Sequence, residues 1–224
     1  MCNSISKKDI SNIELTIKNL KRNKMSAFYC ETSAHAVALV KTLIKKGETI
    51  SSGGSVSLVE SGVYELITNG DYNYLNRSAT GLTREEVEQV YRDTFSADTY
   101  FCSSNAVTID GYLYNVDGNS NRVAAIMYGP KSVIMIVGYN KIVANLDEAV
   151  KRVKTIAAPS NTIRLDMDTP CNKIGECCSL SKEQPYISDG CANSGRICCN
   201  FTVCGQQRHI DRIKVIIVGE NLGY

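Results

Sequence analysis

The residues with the clearest capacity for chemistry are cysteines near the end of the chain. The sequence has ten cysteines in 224 residues, and seven of them fall in its last quarter: Cys171, Cys177, Cys178, Cys191, Cys198, Cys199 and Cys204. Thiolates that converge in space bind zinc or iron–sulfur clusters. No C-x-x-C pair occurs, which disfavours a zinc ribbon, whereas an iron–sulfur cluster tolerates irregular spacing. Buried free thiols or redox-labile pairs are the alternative interpretation.

A glycine turn offers a second kind of chemistry, anion binding. Gly53, Gly54 and Ser55 lie between a predicted strand and a predicted helix. Glycines let a ligand approach the backbone, and N–H groups at a helix start favour a phosphate or a carboxylate. A tight turn with Ser55 as the helix N-cap explains the same residues, so both interpretations stay open.

Polar residues between 103 and 130 are candidates for the same ligand site. The ones we select as ligand-binding are Asn105, Asp117, Gly118, Asn121 and Arg122. Polar groups outside the carboxyl ends of parallel strands form the usual ligand site of open α/β sheets. Arg122 opposes the dipole of the helix that it begins, which suggests an anionic partner. Turns account for much of the remaining Asn, Asp and Gly content.

Lys141 follows an apolar strand and is a candidate catalytic residue at the same cleft, with an ordinary surface lysine as the alternative. The chain has only two histidines, so a Ser/His/Asp arrangement is poorly supported.

The elements that must position these residues alternate between strand and helix patterns. Strands are predicted at residues 26–30, 48–51, 99–103, 133–137 and 215–218, and a hairpin at 107–116. Helices are predicted around residues 10–20, after Thr32, from Gly54 to about Thr68, behind a capping box at Thr83 and Glu86, and from Asn145 to a stop at Pro159. This rhythm predicts a parallel sheet covered by helices.

Composition restricts the functional classes. The chain is 43% hydrophobic with a net charge of +2, which suits one α/β domain over 1–224 with a cysteine-rich insertion at 166–204 before the last strand. Scattered Lys and Arg give no footprint for nucleic acid or a membrane surface. The sequence lacks a signal-like apolar segment, so we expect a cytoplasmic protein. We expect no shared role for Cys2, Cys30 and Cys102, the latter two packing as small hydrophobes.

Several stretches together resemble the LUD-domain family, the lactate-utilisation proteins of the C type. The matching stretches are GGSVSLVESG, SSNAVTIDG, NVDGNSNRVAA, GPKSVIMIVGYNKIV, AAPSNTIRL, TPC, RIC and RIKVIIVGENLGY. The resemblance implies a Rossmann-like α/β fold related to sugar-phosphate isomerases and CoA transferases. It also implies a link to oxidation of lactate to pyruvate alongside iron–sulfur subunits.

The same resemblance implies a ligand set and a second catalytic candidate. The family's cysteine pattern maps onto Cys171, Cys177, Cys191 and Cys198, with Cys178 as a competitor for the second position. Participation of Cys199 and Cys204 stays open. Glu220 partly matches the glutamate motif of CoA transferases, and its alternative role is to cap the end of the sheet.

The leading expectation is therefore a subunit of a lactate-oxidising electron-transfer system, an oxidoreductase component. It would carry a thiolate-bound iron–sulfur cluster, with zinc as the alternative, and a cleft for a small anionic metabolite. The competing expectation is a stand-alone enzyme or sensor for a phosphorylated or CoA-linked small molecule. Iron–sulfur lactate-utilisation subunits are the expected partners, and homo-oligomerisation is left open.

Overall fold

The computed structural model describes residues 5–224 and forms a parallel sheet with helices on both faces. Cys2 lies outside the described residues. The strands are β1 Ser26–Cys30, β2 Thr49–Ser52, β3 Asn73–Tyr74, β4 Thr99–Cys102, β5 Ala106–Thr108, β6 Leu113–Asp117, β7 Ser132–Gly138, β8 Ile142–Val143, β9 Asn200–Cys204 and β10 Ile213–Val218. The α-helices are α1 Lys7–Arg22, α2 Ser33–Leu43, α3 Val56–Glu60, α4 Val63–Asn69, α5 Arg84–Asp93, α6 Asn121–Met127, α7 Leu146–Arg152, α8 Ala158–Arg164 and α9 Pro170–Ile174.

The main sheet has six strands in the order β1-β10-β7-β4-β2-β3, and each pair is parallel. Its neighbouring interior strands β10 and β7 are apolar almost throughout and almost fully buried. Fully apolar strands of this kind need helices on both sides. Met135 faces one apolar core and Ile134 the other. The predicted α/β class with a parallel central sheet is confirmed.

Local sequence signals explain where several helices begin. The Thr83 side chain accepts from the N–H of Glu86, and the Glu86 carboxylate accepts from the N–H of Thr83, which is the predicted capping box. Asn145 caps α7 by accepting from the N–H of Glu148, without a reciprocal bond. These caps satisfy backbone donors that no helical carbonyl can reach.

A second sheet of four strands, in the order β8-β5-β6-β9, packs beside the first. The predicted hairpin is present as antiparallel β5 and β6, with Gly111 in its turn at a φ of +82°. The cysteine-rich segment contributes β9, which pairs antiparallel with β6. The segment thus includes a strand that its lack of periodicity did not predict. Cys30 and Cys102 are buried in the apolar cores, as expected for small hydrophobes.

Two predicted helices differ from the observed ones. The helix expected from Gly54 to Thr68 is two helices, because Gly62 adopts a φ of +75° between α3 and α4. The predicted stop at Pro159 is wrong. A π-helical turn at Val153–Ala157 connects α7 to α8, and Pro159 lies in the first turn of α8, where the missing N–H costs little.

Across residues 5–224, no helix is both long enough and apolar enough to span a membrane.

Candidate functional site

Three parallel strands of the main sheet end at one polar cleft. Gly54 and Ser55 follow β2, Ser103 follows β4, and Lys141 lies just after β7. The cleft has a volume of about 350 Å³. It is lined by Gly54, Ser55, Val56, Arg77, Tyr91, Ser103, Ser104, Asn105, Val116, Asp117, Gly118, Asn119, Asn121, Arg122, Lys141, Asn161, Arg164, Leu165, Ile197 and Tyr224. Its position outside strand carboxyl ends is the usual ligand position in open α/β sheets.

The charge of the cleft is strongly one-sided. Its lining has three arginines and one basic lysine but only one carboxylate, namely Arg77, Arg122, Arg164 and Lys141 against Asp117. Clustered cations in a concave site attract small anions through the field that they share. The cleft is therefore suited to an anionic ligand.

Arg122 organises the floor of the cleft. Its Nη1 donates to Asn115 Oδ1 at 2.7 Å and to the Ser103 carbonyl at 3.3 Å. Its Nη2 donates to Asn105 Oδ1 at 3.0 Å and to the Val116 carbonyl at 2.7 Å. Nε lies 3.4 Å from a carboxylate oxygen of Asp117. Protein acceptors thus engage every nitrogen of the guanidinium, so Arg122 supports an anion through its charge.

Other predicted ligand residues also meet at the cleft. Ser55 caps α3 by accepting from the N–H of Leu58 at 3.3 Å. Asp117 accepts from the N–H groups of Asn119 and Ser120, both at 3.0 Å, which fixes the turn before α6. Gly118 and Asn121 flank that turn and face the cleft.

Gly53, a predicted ligand residue, is not among the residues that line the cleft. A Cβ there would come within 2.7 Å of the Tyr100 hydroxyl and 3.2 Å of Arg122 Cδ. The missing Cβ of Gly53 therefore lets the backbone just after β2 lie close to the Tyr100 and Arg122 side chains.

Lys141 is a buried cleft residue with 4% exposure. Its Nζ donates to Ser57 Oγ at 2.8 Å and to Ser103 Oγ at 3.3 Å. Burial lowers the pKa of its amine to about 7, and the charges of Arg152 and Arg122 add to that effect. Glu60 acts weakly in the opposite direction. A substantial fraction of this amine is neutral at physiological pH.

The structure does not place Glu220 among the residues that line the cleft. Its carboxylate accepts from the backbone N–H and the hydroxyl of Ser33 at the start of α2. A carboxylate at a helix N-terminus stabilises that helix. Glu220 thus caps the N-terminus of α2, and not the end of the sheet.

The four family-pattern cysteines meet at a separate site, the thiol cavity. It is lined by Tyr114, Val153, Lys154, Ala158, Cys171, Cys177, Cys178, Asp189, Cys191, Cys198 and Phe201. Cys178 is thus a fifth thiol of the same cavity. Cys199 and Cys204 do not line the thiol cavity. Cys199 is exposed, and Cys204, in β9, is buried against the Met127 side chain of α6.

The thiols share a cavity without forming a preorganised metal site. In the part of the chain that the structure describes, no three His, Cys, Asp or Glu side chains lie in an arrangement that could hold a metal ion. Burial raises the pKa of the Cys198 thiol, while Arg196 acts against that rise. The pKa of the Cys178 thiol is also raised, by burial and by its neighbouring thiols Cys177 and Cys191.

Two cations hold the cysteine loops in place. Buried Lys154 donates to Ser179 Oγ at 2.9 Å and to the Tyr186 carbonyl at 2.8 Å. Arg196 donates to the carbonyls of Cys198 at 2.7 Å and Cys191 at 3.2 Å. Lys154 lies in the π-helical turn, and π turns occur often at functional sites.

The cleft and the thiol cavity share a wall. Ile197 lines the cleft, and the next residue, Cys198, lines the thiol cavity. On α8, Arg164 lines the cleft and Ala158 lines the thiol cavity. The two sites therefore adjoin each other at residues 197 and 198.

Several cleft residues were not predicted from the sequence. Arg77 stacks over the ring of Tyr91, with 5.7 Å between the guanidinium carbon and the ring centroid. Arg164 donates to Tyr224 Oη at 2.7 Å and to Asn161 Oδ1 at 2.8 Å. The only usable signal was the AAPSNTIRL stretch, which contains Asn161 and Arg164. Arg77 and Tyr91 belong to no recognisable motif.

Fold and site together define an open-sheet α/β protein with a cationic cleft at the carboxyl ends of its strands. Comparison with protein families then matches the LUD domain model to residues 13–218. The chain belongs to the LUD domain family. No curated protein matches it. A solved structure described as a DUF162 family protein from Deinococcus radiodurans is similar, with 15% identity and a TM-score of 0.49 over 95% of this chain and 97% of that one. At that TM-score the likeness carries no argument.

Proposed function

We propose that this chain is a cytoplasmic subunit of a lactate-oxidising electron-transfer system that works with iron–sulfur subunits. The observation that carries the proposal is the wall shared by the cationic cleft and the thiol cavity, formed by Ile197 and Cys198. A substrate anion in the cleft would lie beside a redox centre held by the thiols. Such proximity is what electron transfer between the two requires.

The cleft would bind the carboxylate of a small hydroxy or oxo acid. Arg77 and Arg164 are the cations whose guanidinium groups are least occupied by protein acceptors, since Arg122 is engaged at every nitrogen. Planar guanidinium groups match the geometry of carboxylates. Lys141 would lie at the floor of the cleft, close to the reacting carbon.

The thiol cavity supplies sulfur donors, which would have to converge further before they could hold a metal. Cys171, Cys177, Cys191 and Cys198 would hold it, and Cys178 is a fifth thiol able to replace one of them. When bound, an iron–sulfur cluster would supply one-electron acceptance. Lys154 and Arg196 would offset the negative charge of the thiolates.

The size of the thiol cavity favours the zinc alternative. Its volume is about 20 Å³, space for roughly one water molecule. One ion fits such a space directly, whereas a multi-iron cluster requires the loop carrying Cys191 and Cys198 to move outward. That loop has no helix or strand between Ser181 and Asn200, so outward movement breaks no regular element.

Anaerobic purification followed by metal and acid-labile sulfide analysis tests the centre. Iron with an equal amount of sulfide supports the iron–sulfur cluster, and zinc without sulfide supports the single-ion alternative. Absence of both metals at stoichiometric levels contradicts the centre. Titration of the same sample with L-lactate and pyruvate, followed by calorimetry, tests the cleft.

A second candidate is a stand-alone enzyme or sensor for a phosphorylated or CoA-linked small molecule. The cleft volume of about 350 Å³ favours it, because typical sites for larger ligands begin near this size. Thermal-shift measurements with sugar phosphates, nucleotides and CoA esters test this candidate, since stabilisation follows affinity by mass action. A shift with these compounds and none with hydroxy or oxo acids would replace the first proposal by the second.

A further inference from the structure

Lys141 has surroundings that no structural role requires. It is 4% exposed and lies in the cleft floor, yet no carboxylate pairs with it among residues 5–224. Glu60 is the one acidic residue whose charge raises the pKa of Lys141 in the described structure. The Glu60 carboxylate itself accepts from the backbone N–H of Gly223. Burying an unpaired ammonium is costly, so the amine is favoured in its neutral form.

The hydrogen bonds of Lys141 fit a neutral amine with a free lone pair. Its Nζ has two acceptors in the described structure, Ser57 Oγ at 2.8 Å and Ser103 Oγ at 3.3 Å. Ser57 donates its own proton to the Leu222 carbonyl at 3.1 Å, so it can only accept from the amine. A neutral amine has two N–H groups, and these two serines use both. The lone pair is then left without a partner.

Three charged side chains shift the pKa of the Lys141 amine. They are Glu60 on α3, Arg122 on α6 and Arg152 on α7. The two arginines disfavour protonation of Lys141, and Arg122, which lines the cleft, also attracts an anion into it. A bound anion would therefore be drawn toward a nucleophilic nitrogen.

We infer that Lys141 is a nucleophile that condenses with the carbonyl carbon of a small anionic oxo compound, forming an imine. The inference rests on the anion-binding part of the proposed function and is independent of the thiol cavity. Two sources share this chemistry: 2-oxo acids, with a carboxylate, and phosphorylated aldehydes or ketones.

The step is balanced without an oxidant or a reductant. The Nζ lone pair forms a bond to the carbonyl carbon, and the carbonyl π electrons move to oxygen. One Nζ proton moves to that oxygen, with the Ser103 hydroxyl placed to relay it. The carbon–oxygen bond then breaks as the second Nζ proton leaves with the hydroxyl, which gives the imine and one water molecule.

Reductive trapping of the unmodified protein tests the inference. The protein is incubated at pH 7.5 with pyruvate or with dihydroxyacetone phosphate, reduced with borohydride, and mapped by peptide mass spectrometry. Acetone and dihydroxyacetone serve as uncharged counterparts. Lys154 is the internal control, because it is equally buried at 5% exposure but faces the thiol cavity.

The expected result is an adduct at Lys141 at least about tenfold more abundant than at Lys154 or at any exposed lysine. It should form with one of the two anionic compounds and be largely absent with the uncharged ones. The compound that gives the adduct identifies the ligand class.

A Lys141 adduct no more abundant than the Lys154 adduct overturns the inference, and so does equal labelling by charged and uncharged compounds. Calorimetry on the same samples separates the two proposals. Binding of an anionic compound with no trapping of either one overturns imine formation alone, whereas absence of binding and of trapping with both compounds overturns the anionic cleft as well. Lys141→Met, which introduces no buried charge, should lose the adduct.

Discussion

The backbone N–H of Cys199 donates a hydrogen bond of 3.0 Å to the carbonyl oxygen of Asp117. This bond fastens the cysteine loop to the strand end that forms one side of the cleft. The neighbouring contact is also close, since a Cβ at Gly118 would lie 3.2 Å from Ile197 Cα. Movement of the loop is therefore transmitted to the cleft through the backbone.

Cys198→Ser should remove metal from the protein, whereas Cys199→Ser should not. The two residues are adjacent, but only Cys198 lines the thiol cavity, and the Cys199 thiol is exposed. A serine oxygen is a poor ligand for zinc and for iron–sulfur iron. We expect at least about a tenfold loss of metal affinity for Cys198→Ser, measured by competition with a chelator. Equal metal content in both variants would contradict the proposed ligand set.

Gly53→Ala should destabilise the protein, and Gly54→Ala should not. A Cβ at Gly53 would meet the Tyr100 hydroxyl at 2.7 Å and the well-anchored Arg122 side chain at 3.2 Å. A Cβ at Gly54 would meet only the end of the Arg77 side chain, at 2.8 Å. We expect a loss of about 1–3 kcal/mol in the free energy of unfolding for Gly53→Ala and under about 0.5 kcal/mol for Gly54→Ala.

Chemical denaturation measures both values. Gly54→Ala should instead weaken anion binding, because it displaces the Arg77 guanidinium. Similar stability for the two variants would show that the floor beneath the cleft is less rigid than the Arg122 hydrogen bonds imply.

Arg122→Lys and Arg164→Gln should separate stability from binding. A lysine at position 122 cannot satisfy the acceptors that Arg122 engages, among them buried Asn115 Oδ1. We expect a loss of about 2–4 kcal/mol in the free energy of unfolding for Arg122→Lys.

Arg164 is exposed, so Arg164→Gln should change the free energy of unfolding by under about 0.5 kcal/mol. The same change should raise the dissociation constant of a small carboxylate roughly fivefold or more. Calorimetric titration with pyruvate measures that constant. Unchanged affinity in Arg164→Gln would remove Arg164 from the ligand site.

The sequence predicts those parts of the fold that local patterns encode. Strand β7 is apolar at nearly every position, and Asn145 and Thr83 carry capping signals, so these elements were predicted closely. Strand β9 was missed because it is largely half-buried or exposed and lacks alternation. The π-helical turn before Pro159 has no sequence signature, so α8 was missed too.

Some residues of the cleft could be predicted from the sequence, and others could not. Lys141 and Asn105 could be predicted to share a cleft because parallel strands bring their carboxyl ends together. Arg77 and Arg164 reach that cleft from a loop and from a helix end, and only tertiary packing places them there. Such long-range neighbours cannot be inferred from one sequence.

Lys141→Met should stabilise the protein, most strongly at low pH. The Lys141 pKa is 10.5 ordinarily and about 7 in the folded state. Between those values the unfolded state binds more protons, so the stability of the unmodified protein rises with pH. Below pH 7 both states are protonated, and the folded state bears the full cost of burying the ammonium.

Replacing Lys141 by Met removes that cost. The expected gain in the free energy of unfolding is roughly 1–3 kcal/mol at pH 6, and it should shrink toward zero as the pH approaches 10. Denaturation of both proteins across this range measures the gain, with exposed Lys18→Met as the matched control. A gain that does not vary with pH, or a loss at every pH, would show that the Lys141 amine is not held neutral by burial. Such a stability cost is what a residue retained for imine formation would show.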